Sequence, residues 1–157
     1  MALLGEQDRK AIEDRFADTL EDDVVLRLFT QSAARSLLTI PGEQEKVGEY
    51  AKVTQQLLEE LVATSPKLSL QVYDVYGDGA EDAKRLGVEH IPAIIFGDDA
   101  KGRVRFYGAP VGNEFSTVIA SIEALSKSEP MLRPEVAAVV REQIGEPVHL
   151  RVFVTPT

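Results

Sequence analysis

The sequence predicts an α/β domain in three layers, a mixed four-stranded sheet with helices on both faces, extended by an N-terminal helix and by a C-terminal helix plus strand. Three observations carry this prediction. Short apolar, β-branched runs alternate with segments of helical period. The first two strands are separated by a long helical segment, as a parallel crossover requires. The last two are joined only by the Gly- and Asp-rich residues 97–102, which read as a hairpin, and a helix closes the unit.

The elements follow in order. Residues 6–20 put Ile12, Phe16 and Leu20 on one helical face. Val24-Val25-Leu26-Arg27-Leu28-Phe29 is almost wholly apolar, as suits a strand buried on both faces. Between Thr30 and about Lys46 no period holds, and Pro41-Gly42 marks a turn, so a long loop is expected, with a short helix around 33–38 as the alternative. Tyr50, Val53, Leu57, Leu58 and Leu61 restore a helical face that ends before Pro66. Residues 68–75 alternate as a strand. Gly77-Asp78-Gly79 leads into a short helix carrying Ala80, Ala83 and Leu86, which stops at Gly87. After His90-Ile91-Pro92 come the strand Ala93-Ile94-Ile95-Phe96 and its return strand 103–107. A helix over 113–126 presents Phe115, Val118, Ile119, Ile122 and Leu125. Residues 126–134 read as a linker and 135–144 as a helix opened by Pro134. Residues 148–154 alternate as a final strand.

Composition narrows the chemistry. The 157 residues suffice for a self-supporting core. The apolar runs are far too short to span a bilayer, and Met1-Ala2-Leu3-Leu4 runs straight into charged residues, so a cytoplasmic protein without membrane contact is expected. A net charge of -9 repels phosphate backbones and argues against a nucleic-acid partner. The chain has no cysteine and two histidines, His90 and His149, far apart in sequence. Thiol nucleophiles and disulfides are thereby excluded, and no metal or other cofactor is expected.

Several segments together carry a resemblance. They are Val25-Leu26-Arg27-Leu28-Phe29-Thr30, Gln56-Leu57-Leu58-Glu59-Glu60-Leu61, Val72-Tyr73-Asp74, Leu86-Gly87-Val88, Ile91-Pro92-Ala93, Arg105-Phe106-Tyr107-Gly108, Gly112-Asn113-Glu114-Phe115 and residues 148–157. The chain resembles the first unit of the protein disulfide oxidoreductases, glutaredoxin-like proteins built of two tandem thioredoxin-fold units. The resemblance implies a thioredoxin-like fold with a cis bond before Pro92. In such proteins a Cys-x-x-Cys opens the helix after the first strand, where the helix N-terminus lowers the thiol pKa. The matching positions here are Gly48-Glu49-Tyr50-Ala51, so the redox centre is missing, and cysteines restored at 48 and 51 are expected to form a disulfide with an acidified leading thiol. The resemblance also implies that a second unit, with its own Cys-Pro-x-Cys, would follow Thr157. It divides the chain into an N-terminal helix 1–20, a thioredoxin-like domain 21–127, and a linker helix with the first strand of a second, truncated unit at 128–157.

Each candidate has a plainer alternative. Gly48 and Ala51 also suit an ordinary helix start, with Gly48 at the cap. The His90-Ile91-Pro92 loop either pairs with an extended peptide or simply turns the chain into the next strand. His90 is a polar contact or a solvated loop residue. Asp74 and Asp78 suit a turn and lack a nucleophile. Tyr73, Phe96, Phe106 and Tyr107 are expected in the core. The implied function is a redox-inactive scaffold or peptide-binding unit. The alternatives are half of a thiol–disulfide oxidoreductase and the N-terminal domain of a peroxide-reducing flavoprotein system. Expected partners are a peptide or protein substrate, a second thioredoxin-like unit, or a second copy associating through the strand at 148–154.

Overall fold

The computed structural model describes residues 2–32, 43–98, 104–127 and 132–154. Four strands form one sheet: β1 (Val24–Thr30), β2 (Leu68–Asp74), β3 (Ala93–Phe96) and β4 (Val104–Tyr107), in the order β2-β1-β3-β4. β1 and β2 are parallel, with Val24 opposite Leu68 and Thr30 opposite Asp74. β3 runs antiparallel to both β1 and β4. Thus β1, β2 and β4 finish at the same end of the sheet, where β3 begins.

Five helices surround this sheet among the described residues: α1 (Glu6–Thr19), α2 (Glu43–Val62), α3 (Ala80–Leu86), α4 (Glu114–Lys127) and α5 (Pro134–Gln143). Leu26 and Leu28 of β1 face a core shared with Ile12 and Phe16 of α1, Leu58 and Leu61 of α2, and Val118 and Ile122 of α4. Phe29, Ala93 and Ile95 face the other way, against Ala83 of α3. Alternate residues of one strand therefore build the two faces of the sandwich. Phe29 also stacks on Tyr73 at 5.0 Å between ring centroids.

α3 ends as its sequence requires. Gly87 takes a left-handed φ of 63°, and its N–H donates to Lys84 O while Val88 N–H donates to Ala83 O. Gly79, before the helix, meets a different constraint. A Cβ placed there would stand 2.6 Å from Tyr73 Cβ and 3.0 Å from Asp74 O. Gly79→Ala must push α3 off the end of β2, and a loss of about 1–3 kcal/mol in denaturant unfolding is expected.

α1 is joined to α4 by a buried carboxylate. Arg15 Nε and Nη2 each donate to Glu123 at 2.6 Å, and Thr19 Oγ1 lies 3.0 Å from Glu123 Oε1. The Arg15 guanidinium holds the Glu123 carboxyl below its ordinary pKa, although burial pushes the other way. Glu60 is lowered too, because Leu4 and Leu3 donate backbone N–H groups to it. Both folded values lie below the unfolded ones. Their stabilisation is therefore present above the unfolded carboxyl pKa and is lost as pH falls through the depressed folded values. Arg15→Ala leaves Glu123 buried without its cation. A loss of about 2–3 kcal/mol at neutral pH is expected, less than for a fully buried pair because Arg15 is half exposed. The loss should shrink in an acid titration, and a pH-independent loss would mean that Arg15 acts only through its aliphatic stem.

Three expected element bounds or assignments differ in the structure. α2 begins at Glu43, so 43–46 is helix rather than loop. α4 runs one residue past its expected end at 126, through Lys127. Residues 148–154 are not a strand: a ladder needs a partner, and none pairs with them among the described residues. Leu150, Val152 and Phe153 are 82%, 85% and 89% exposed. The part of the expected loop at 33–42, with its alternative of a short helix around 33–38, the hairpin tip at 99–103 and the linker residues 128–131 lie outside the described residues.

Candidate functional site

The candidate residues meet at the end of the sheet where β1 finishes. α2 leads through a short turn into β2, whose first residue pairs with the first residue of β1, so the helix runs antiparallel to both strands. Counting back from Val62 at about 1.5 Å per residue puts Ala51 roughly 16 Å along α2. β1 covers roughly 20 Å from its first to its last residue, at about 3.3 Å per step. Gly48 and Ala51 therefore stand level with the last residues of β1. Both are buried, whereas Glu49 and Tyr50 are exposed. Gly48 is the sixth residue of α2, so it is not the helix cap that its sequence suggests.

Pro92 approaches the same place from the neighbouring strand. Phe29 pairs with Ala93 in the antiparallel ladder, which puts Pro92 beside Thr30. The Ile91–Pro92 peptide bond is cis, Pro92 is buried, and Gly108 N–H donates to Pro92 O at 2.8 Å. His90 is exposed and lies edge-on to Tyr107, with ring centroids 5.9 Å apart.

Two hydroxyls at this end escaped the sequence reading. Thr30 is 4% exposed and Thr54 is fully buried, and neither Oγ1 has a hydrogen-bond partner among the described residues. Thr54 follows Ala51 by three residues on the same helix face. The available signal was a Thr closing an apolar strand and another inside an apolar stripe. Tyr107 corrects an expectation: it is 38% exposed rather than in the core, because β4 is an edge strand and its Phe106 takes the inward position. Asp74 and Asp78 form a turn, with Tyr76 N–H donating to Asp74 Oδ1 and Asp74 N–H donating to Asp78 Oδ1.

Chemically, the site offers backbone, hydroxyl and aromatic groups but no thiol, since the chain has no cysteine. Among the described residues no helix is long and apolar enough to cross a membrane.

No family model and no curated protein matches the chain. Among solved structures it is similar to a protein disulfide oxidoreductase from Aeropyrum pernix, with 22% identity and a TM-score of 0.68, over 90% of this chain and 56% of that one. It is also similar to the alkylhydroperoxide reductase AhpF from Enterococcus faecalis, with 18% identity and a TM-score of 0.67, over 87% of this chain and 59% of that one. The NTD_N/C domain of the same reductase gives the same figures. The chain thus spans less than two thirds of these neighbours. Strand order, helix placement and these likenesses together show that this cysteine-free chain has a thioredoxin-like α/β fold.

Proposed function

We propose that the chain is a redox-inactive thioredoxin-like unit that serves as a scaffold, binding an extended peptide or a second thioredoxin-like unit. One observation carries this reading. The positions that the resemblance assigns to thiols hold Gly48 and Ala51, in a chain without any cysteine. Disulfide exchange begins with attack by a thiolate, so without one only the surfaces of the fold remain to act. In this reading an extended peptide pairs beside the end of β1 at the His90-Ile91-Pro92 loop, where His90 is exposed and Ile91 half-buried. In an insulin-reduction assay the chain should give the rate of buffer alone. Turnover above that background would overturn the reading.

A second reading draws support from the lengths of the similar structures. The chain would be half of a thiol–disulfide oxidoreductase whose Cys-x-x-Cys lies beyond Thr157, or the N-terminal domain of a peroxide-reducing flavoprotein system. The coding sequence after Thr157 separates them: a Cys-x-x-Cys favours either, and a flavin-dependent reductase domain further on favours the last. The proposed setting is the cytoplasm. The exposed apolar side chains at 148–154 favour coverage by a second unit, with a second copy of this chain as the alternative. Light scattering at several concentrations reads out the alternative directly.

A further inference from the structure

We infer, building on the peptide-binding reading above, that the strand-end surface selects an extended apolar segment carrying an arginine, with Glu89 receiving the guanidinium and tyrosines covering the flanking apolar side chains. Three of the chain's four tyrosines emerge at this end. Tyr76 follows β2, Tyr107 closes β4, and Tyr50 stands on α2 level with the end of β1; they are 59%, 38% and 48% exposed. An aromatic ring with a polar tip contributes large contact area at little conformational cost, which is why tyrosine recurs where chains bind chains. The sheet order sets the span: from β2 to β4 is three strand spacings, about 14 Å, or about four residues of extended chain.

The charge preference rests on an observed contact. Arg151 donates from Nη2 and Nη1 to Glu89 at 3.2 and 3.4 Å. Glu89 lies three residues before Pro92 and immediately before His90, whose ring meets Tyr107 edge-on. The guanidinium belongs to the segment Val148, Leu150, Val152, Val154, which alternates like a strand yet buries almost nothing. Held at this loop by an exposed ion pair, it shows that Glu89 receives a guanidinium there, while its own apolar side chains stay uncovered. An exposed pair of this kind contributes little, so an external segment with better-buried apolar side chains displaces it. The net charge of -9 favours the same sign of partner.

The test uses the whole chain, labelled for NMR, and two capped peptides: one with the sequence of residues 149–153 and its Arg151→Glu counterpart. The arginine peptide should shift the amides of residues 88–92, Tyr76 and Tyr107. It should bind about three- to fivefold more tightly than the glutamate peptide. Glu89→Gln in the protein should abolish that preference. Arg151→Ala in the protein, which removes the internal competitor, should tighten binding of the arginine peptide. Equal affinity of both peptides at this end would overturn the charge selection while leaving the peptide-binding reading standing. No saturable shift at this end at millimolar peptide, or shifts elsewhere only, would overturn both.

Discussion

Phe16→Ala is expected to lower the unfolding free energy by about 3–5 kcal/mol, the range for truncating a buried aromatic side chain to alanine. Phe16 is 1% exposed and shares its cluster with Leu26 and Leu28 of β1, Leu58 of α2 and Ile122 of α4. Removing the ring leaves a cavity among side chains anchored on β1, α2 and α4, which can close over it only in part. For a domain of this size the melting temperature should fall by roughly 6–20 °C. Leu3→Ala, at a residue 45% exposed, should change stability by less than about 0.5 kcal/mol and serves as the control. Urea melts followed by circular dichroism read both. A separate early transition in the Phe16 variant, with the main melt unmoved, would mean that α1 is an appendage rather than part of the core.

Much of this architecture is legible because apolar pattern and burial coincide. Val24-Val25-Leu26-Arg27-Leu28-Phe29 reads as a strand covered on both faces and is one, even though Arg27 sits in it only 6% exposed. Gly87 stops α3 for a reason visible in sequence, since a left-handed residue is what a helix end commonly needs. The start of α2 is not legible by periodicity. Glu43-Gln44-Glu45-Lys46 has no apolar face to count, yet these are strong helix formers, so propensity extends the helix where pattern falls silent. Residues 148–154 fail in the opposite way. Their alternation is real, but a strand is a pairing, and a pattern carries no information on whether a partner is present.

The candidate site was legible only through resemblance. Nothing in a glycine and an alanine three residues apart marks chemistry, and only the family resemblance assigns these two positions to thiols. The tyrosines show why topology matters more than motif here. Tyr50, Tyr76 and Tyr107 are far apart in sequence and come to one end of the sheet only because β1, β2 and β4 finish there and α2 runs back alongside β1. Thr30 is placed by register in the same way, opposite Asp74 and beside Pro92.

Restoring both cysteines tests the placement of the motif on α2. In the double variant Gly48→Cys, Ala51→Cys the two side chains lie on one helical turn, and oxidation should close a disulfide. Helical positions three apart keep their Cβ atoms about 5–6 Å from each other, whereas a relaxed disulfide needs about 3.5–4.5 Å. The turn must tighten, so the bond should be readily reduced. The leading thiol should differ from what the resemblance alone implies. Gly48 stands five residues, or about 7 Å, inside a helix that begins at Glu43, and the dipole's influence falls off within the first turn. Burial at positions 48 and 51 further disfavours the thiolate. A thiol pKa close to the ordinary value of about 8.5, or above it, is therefore expected, with insulin reduction far slower than by a thiolate at a helix start. Titration of the reduced variant by iodoacetamide rate against pH reads the first, and thiol counting after oxidation reads the disulfide. Two free thiols after oxidation would show that positions 48 and 51 do not share a turn. A thiol pKa below about 7 would show that the helix field acts at Gly48 itself, as it would if α2 unwound before that residue in solution.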